Sequence, residues 1–232
     1  EKGLSRKELL TSLQSIVGVY VPSLFDRTKR PISPFSTLHP ETIKCRKYLN
    51  FNEGVSYQNQ LISWQQARHD RYVTEIMRGC SRGCRFCFAG YFYRPVREKS
   101  VENIVEKLIN EVREDGWEDT GLLSLSSSDY SCITPLLIEL VSRLQEFDAE
   151  LSLPSLRADS VDDTIVKLLN TLRQNGITIA PEAGSQRLRD VINKDLTEKH
   201  IFDLVELAVK NNWKILKLYF IIGLPFETFE DI

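Results

Sequence analysis

The sequence lacks a fourth cysteine where its other cysteines call for one. Three of the five, Cys80, Cys84 and Cys87, crowd into 77-MRGCSRGCRFCFAGYFYRPV-96 at the spacing C-x3-C-x2-C, and none follows nearby. A structural zinc site takes four ligands, and an electron-transfer iron–sulfur cluster usually takes four thiolates. Either closed site is one ligand short unless a distant residue supplies it. Charge of one sign is also lacking: the net charge of −2 gives no global pull toward nucleic acid or an anionic membrane. No apolar run approaches the roughly 18 residues of a membrane span, and no signal peptide opens the chain. Five cysteines with three crowded together exclude a secreted disulfide framework and fit a reducing, cytoplasmic setting. Methionine is nearly absent. The chain opens on Glu1, its one methionine is Met77, and it stops at Ile232 just after the capping-box pattern of Thr228 and Asp231, so it reads as a piece of a longer protein.

What is present falls into two regions. Residues 1–70 read as an irregular connector with one short helix, capped by Ser5 and carrying Leu9, Leu10, Leu13, Ile16 and Val17 on one stripe. Pro22, Pro31, Pro34 and Pro40 then break helix and strand alike. Residues 71–232 alternate regularly. Strands are expected at 71–77, 122–126, 151–156, 177–184 and 214–223. Helices are expected from Ser100 to Gly116, from Thr134 through Leu144, from a Ser160/Asp163 capping box to Asn175-Gly176, at 186–192, and from Thr197 to about Asn211. Strands alternating with helices predict βαβ units and a parallel sheet.

Unusual residues gather where the strands end. "GCSRGCRFC", "SSSDYS", "LRADS", "PEAGSQR" and "GLPFET" follow the five strands in turn. Ligands of parallel barrels and open sheets bind at the carboxyl ends of the strands, so these turns predict one shared site. Chemistry then gives three thiolates a meaning. A 4Fe–4S cluster on three thiolates keeps one iron without a protein ligand, and an open position marks a catalytic metal site. The amino and carboxylate groups of an amino acid could chelate that iron.

The C-x3-C-x2-C run after the first strand, with Phe86 just before the last cysteine, resembles the radical S-adenosylmethionine (SAM) superfamily across residues 71–232. The strings "EIMRGCSRGCRFC", "SLSSSDYS", "LPSLRADS", "APEAGSQRLRDVINK" and "YFIIGLPFET" further resemble uncharacterised bacterial radical SAM proteins with an N-terminal cobalamin-binding-type domain. The resemblance implies a partial parallel (β/α) TIM-type barrel, truncated after its fifth strand and preceded by the connector. It implies that a 4Fe–4S cluster reductively cleaves S-adenosylmethionine to a 5′-deoxyadenosyl radical that abstracts hydrogen from substrate. An electron donor such as a flavodoxin or ferredoxin is implied as partner.

Site roles come by the same resemblance. Cys80, Cys84 and Cys87 ligate the cluster, and Phe86 packs near the adenine. Ser127, Ser128 and Asp129 occupy the second-strand position, normally Gly-Gly-Glu, that holds the methionine amino group. Glu182 and Ser185 meet the ribose, Gly223 lies against the adenine, and Arg157 pairs the methionine carboxylate. Other readings stay open: a cobalamin-dependent radical methyltransferase, with cobalamin in a domain outside this chain, or a non-catalytic iron–sulfur or zinc module. The chain holds no D-x-H-x-x-G cobalamin signature. Cys132 is expected in the core, Cys45 is incidental, His39 and His200 read as surface residues, and His69 reads as structural. Residues 78–99 carry six cations against one acid, with Phe88, Tyr91, Phe92 and Tyr93 interleaved. That mix fits an RNA- or ribosome-facing surface, or cations that tune a thiolate-ligated cluster.

Overall fold

The computed structural model describes residues 3–26, 28, 30, 44–54, 62, 64, 65, 70–172 and 176–232. Pro31, Pro34, Pro40, His39, His69 and Asn175, which the sequence reading singles out, lie outside them. The chain forms two compact units, 1–49 and 50–232. The first holds helix α1 (Arg6–Gln14), begun by the expected Ser5 capping box. Pro22 opens a short 3-10 turn whose Leu24 packs with Val21 and Phe25. Leu9, Leu13, Ile16 and Val17 of the predicted apolar stripe are exposed.

The second unit begins ahead of the first strand. Asn52 accepts from the Ser100 backbone N–H at 2.8 Å, and the Phe51 ring lies under the Arg78 guanidinium at 4.9 Å. Strands β1 (Tyr72–Glu75), β4 (Asp119–Leu123) and β5 (Glu150–Ser152) form a parallel sheet in the order β1-β4-β5. A small antiparallel pair, β2 (Met77–Arg78) and β3 (Arg97–Glu98), brackets the cysteine segment. Strands β6 (Gly176–Glu182) and β7 (Ile215–Phe220) pair in parallel as a separate two-stranded sheet. The parallel β/α order is that of a partial TIM-type barrel, as expected.

The sheet is divided where one continuous sheet was expected. The third predicted strand ends at Ser152 because Pro154 has no N–H to donate and Ser155 adopts a left-handed backbone, φ 59°. A cavity of about 660 Å³ opens there, with Leu153, Pro154 and Ser155 on one side and Ile177, Thr178 and Ile179 on the other.

Helices α3 (Val101–Asp115), α4 (Ile133–Leu144) and α5 (Asp163–Thr171) build the core. Their apolar faces recur at helical spacing and bury Leu108, Leu136, Leu137, Leu140, Leu144, Val166 and Leu169 completely. Each such side chain contributes about 1.5–3 kcal/mol of transfer free energy. Ser100 caps α3 as expected, and Gly116, φ 71°, ends it in the left-handed conformation that glycine adopts without strain. Two starts differ from expectation. Asp162, rather than Ser160, caps α5, its carboxylate accepting from Ile165 N–H at 2.8 Å. Cys132 stands at the N-cap of α4 and is exposed, not in the core, because the core stripe begins one residue later at Ile133. Among the described residues no helix is long and apolar enough to cross a membrane.

Candidate active site

The cysteine segment is shaped by its backbone. Gly79 follows β2 at φ 91°, and a Cβ there would lie 2.7 Å from the Tyr93 carbonyl, so only glycine lets the two ends of the loop close. Arg94 reaches back over the loop, donating to Gly90 O at 2.9 Å and Arg82 O at 2.8 Å, with longer bonds to Cys80 O and Ser81 O. Helix α2 (Phe88–Phe92) starts at Cys87, whose sulfur accepts from Gly90 N–H at 3.3 Å. Helix α6 (Gln186–Val191) closes the far side: Arg85 N–H donates to Ile192 O at 2.9 Å and Asn193 Nδ2 to Gly83 O at 2.7 Å. None of the three cysteines is in a disulfide. Burial pushes the Cys84 thiol up, while Lys194 and Arg157 nearby favour its thiolate.

Arg82, between the first two cysteines, is gripped from two other loops. Its Nε and Nη2 make a two-pronged contact with Asp129 at 3.0 and 2.6 Å, and its Nη1 reaches Asp159 at 3.3 Å. Asp129 ends the turn after β4 and also accepts from the Ser126 hydroxyl at 2.7 Å. Asp159, after β5, takes both Nε and Nη2 of Arg157 at 2.9 Å. Burial by itself would raise both carboxyls, but Arg82 and Ser126 draw Asp129 below its ordinary range, and Arg157 and Arg82 do so for Asp159.

The end of β6 carries the second half of the site. A register shift between Ile179 and Glu182 re-aims the strand, and Glu182 takes φ 70°, unusual for a residue with a Cβ. Such a conformation costs on the order of 1–3 kcal/mol and concentrates at functional sites. Its carboxylate faces Lys194 Nζ at 3.3 Å, both side chains largely buried. Arg189, 1% exposed, holds the turn by donating to the carbonyls of Ala183, Gly184 and Leu196.

These parts meet in a cavity of about 240 Å³ at the carboxyl ends of the strands. Cys80, Cys84, Cys87, Phe86, Arg157 and Glu182, all expected at the site, line it together. Arg82, Ser126 and Lys194 line it too; the sequence counts Arg82 only among the cations of residues 78–99 and gives Ser126 and Lys194 no role. Ser127, Ser128, Asp129, Ser185 and Gly223 are not on its wall. Ser127 is fully buried against Ser124, and Ser128 accepts from the Arg157 backbone N–H. Ser185 caps α6 and donates to Asp231, and the Gly223 N–H is taken by Glu227. Among the described residues no three His, Cys, Asp or Glu side chains are gathered as a single metal ion requires. Three thiols that line one cavity and form no disulfide fit a 4Fe–4S cluster, in which each thiolate would take a different iron.

Sequence comparison agrees with this geometry. The pattern of the family described as the radical SAM superfamily matches residues 74–232. An uncharacterised protein of Methanocaldococcus jannaschii is 38% identical over 161 residues, covering 69% of this chain and 35% of its own length. A tRNA-2-methylthio-N(6)-dimethylallyladenosine synthase of Thermotoga petrophila is 25% identical, covering 75% of this chain and 41% of its own length. This chain therefore spans well under half the length of these relatives. The fold is also that of the radical S-adenosylmethionine methyltransferase TsrM of Kitasatospora setae: TM-score 0.59, 15% identity, 69% of this chain and 32% of that one. With its cysteine loop on the strand-end cavity and the family pattern over most of its length, the chain belongs to the radical SAM superfamily, enzymes that work with a 4Fe–4S cluster and S-adenosylmethionine.

Proposed function

We propose that residues 71–232 are the core of an enzyme that cleaves S-adenosylmethionine reductively and uses the product to modify RNA, free or within the ribosome. One observation carries the cleavage reading: the three cysteines open onto the same cavity as Arg157, Glu182 and Lys194. The thiolates of Cys80, Cys84 and Cys87 would hold a 4Fe–4S cluster with one iron left open to S-adenosylmethionine. A bound, reduced cluster would supply the one electron needed to cleave S-adenosylmethionine to methionine and a 5′-deoxyadenosyl radical.

The chain's own residues bind and orient. Arg157 spends Nε and Nη2 on Asp159, which leaves its Nη1 for the ligand carboxylate. Glu182, held by Lys194, accepts from ribose hydroxyls. Phe86, at the cavity mouth and 41% exposed, offers an apolar face to the adenine. The electron comes from a small redox protein such as a flavodoxin or ferredoxin, in a cytoplasmic setting that keeps the thiols reduced.

Two observations support RNA as the substrate class. The Thermotoga relative is named for a tRNA nucleoside. Beside the cysteine loop Phe88, Tyr91, Phe92 and Tyr93 are exposed, and the Phe88 and Phe92 rings stack 5.1 Å apart, a surface on which bases can stack. The neighbouring cations serve the fold: Arg94 and Arg97 turn back onto backbone carbonyls.

Anaerobic reconstitution tests the cleavage reading. It should give about four irons and four sulfides per chain, oxygen-labile. Alanine at Cys80, Cys84 or Cys87 should abolish iron uptake, and alanine at Cys45 or Cys132 should not. Stoichiometric zinc without iron would sink the reading.

A further inference from the structure

The resemblance assigns Asp129 to the methionine amino group, yet in the structure its carboxylate is already engaged. Both oxygens hold Arg82, and Ser126 and Ser160 donate to them as well. Arg82 is in turn the cavity-lining side chain between Cys80 and Cys84. We infer that Arg82 is a positioning residue: through Asp129 and Asp159 it ties the cysteine loop to the ends of β4 and β5 and fixes where the thiolates stand.

The geometry supports a tether and not a loose surface pair. Arg82 is 28% exposed, Asp129 13% and Asp159 12%, so the contacts are shielded from water and salt. The planar fork meets Asp129 with two nitrogens, which fixes orientation as well as distance. Arg157 extends the chain of alternating charges, Asp129–Arg82–Asp159–Arg157, and its Nη2 donates to the Asp195 backbone at 2.7 Å. Four loops are joined: those carrying the cysteines, Asp129, Asp159 and Asp195. A ligand ammonium would have to displace Arg82 to reach Asp129, which would release the loop that holds the cluster.

The inference rests on the cluster reading for its purpose but not for its test. In the protein without cluster, iodoacetamide should alkylate Cys80 and Cys84 faster in Arg82→Gln and Asp129→Asn than in wild type. Losing a charge-assisted contact of this kind corresponds to roughly a 10- to 150-fold change in loop opening. Exposed Cys132 should react at the wild-type rate in all of them and serves as the internal rate standard, and the circular dichroism spectrum reports whether each variant is folded. In the reconstituted protein both substitutions should speed loss of the cluster to a chelator. The double variant should be no worse than Arg82→Gln alone, because that substitution already removes the Asp129 contact together with the one to Asp159. Arg82→Lys, which keeps the charge but not the fork, should fall between. The inference is overturned if Asp129→Asn weakens S-adenosylmethionine binding while alkylation and cluster loss stay at wild-type rates. It is equally overturned if the two substitutions multiply. Absence of iron uptake by the wild type would defeat the cluster reading alone, since the alkylation rates still decide the tether.

Discussion

The helix-covered side of the unit and the loop-bearing end of its strands shelter side chains of opposite chemistry. On the helix side Leu136, Leu137, Leu140 and Leu144 of α4 are wholly buried against α3, α5 and the sheet. At the loop end Arg82, Asp129, Arg157, Asp159, Glu182, Lys194 and Arg189 are largely buried, and every one is paired or hydrogen-bonded. Apolar burial is non-directional and stabilises in proportion to area. Buried ion pairs roughly cancel their own desolvation, so they add little net stability, but they specify where each group stands. The first region holds the fold together. The second sets distances, which is what a cofactor site requires.

That contrast can be broken most strongly on the helix side. Leu140→Ala leaves a cavity in the α4 packing and should cost about 2–5 kcal/mol in urea unfolding, with iron uptake per folded chain unchanged. Iron loss from the folded variant would show that the two regions are not separable.

A smaller effect is expected at the loop end. Asp129→Asn should cost about 1.5–3 kcal/mol at neutral pH, the scale of one charge-assisted hydrogen-bonded contact. The folded carboxyl lies below its ordinary value, so its contribution is present above the unfolded value of about 3.9. It should be lost only as pH falls through the lower folded value. The difference between wild type and variant should therefore be flat from about pH 5 to 8 and shrink in stronger acid. A difference that changes between pH 6 and 8 would mean that another group carries it.

The smallest effect belongs to the solvent. Lys199 and Asp203, 79% and 53% exposed, pair at 2.6 Å on helix α7 (Glu198–Lys210). Lys199→Ala should change stability by no more than about 0.5 kcal/mol. A loss near that of Asp129→Asn would erase the distinction between buried and exposed pairs.

How much of this was legible in the sequence follows the same division. Local signals survived folding: the stripe Ile104, Val105, Leu108, Ile109 and Val112, the Ser5, Ser100 and Thr197 caps, and the cysteine spacing. Each depends on neighbours within a few residues. What the sequence hid is long-range. Arg82 lies 47 positions from Asp129, and no local rule pairs them. Lys194 joins Glu182 only because the turn after α6 returns to the strand end, and Arg189 is buried against the habit of its residue type. Even there a hint existed: arginines and carboxylates in adjacent strand-end turns, "SRG", "SSD" and "LRAD", are the material of a network. Cys132 misled for the reverse reason. A cysteine's preference for burial is a weaker fact than its place one residue before the apolar stripe of α4.

The most direct test adds S-adenosylmethionine to the reconstituted, dithionite-reduced protein and follows both the EPR spectrum and the nucleoside products. Binding at an open iron should change the reduced spectrum, and 5′-deoxyadenosine should appear slowly even without substrate. A spectrum unaltered by saturating S-adenosylmethionine, with no 5′-deoxyadenosine released, would contradict the account.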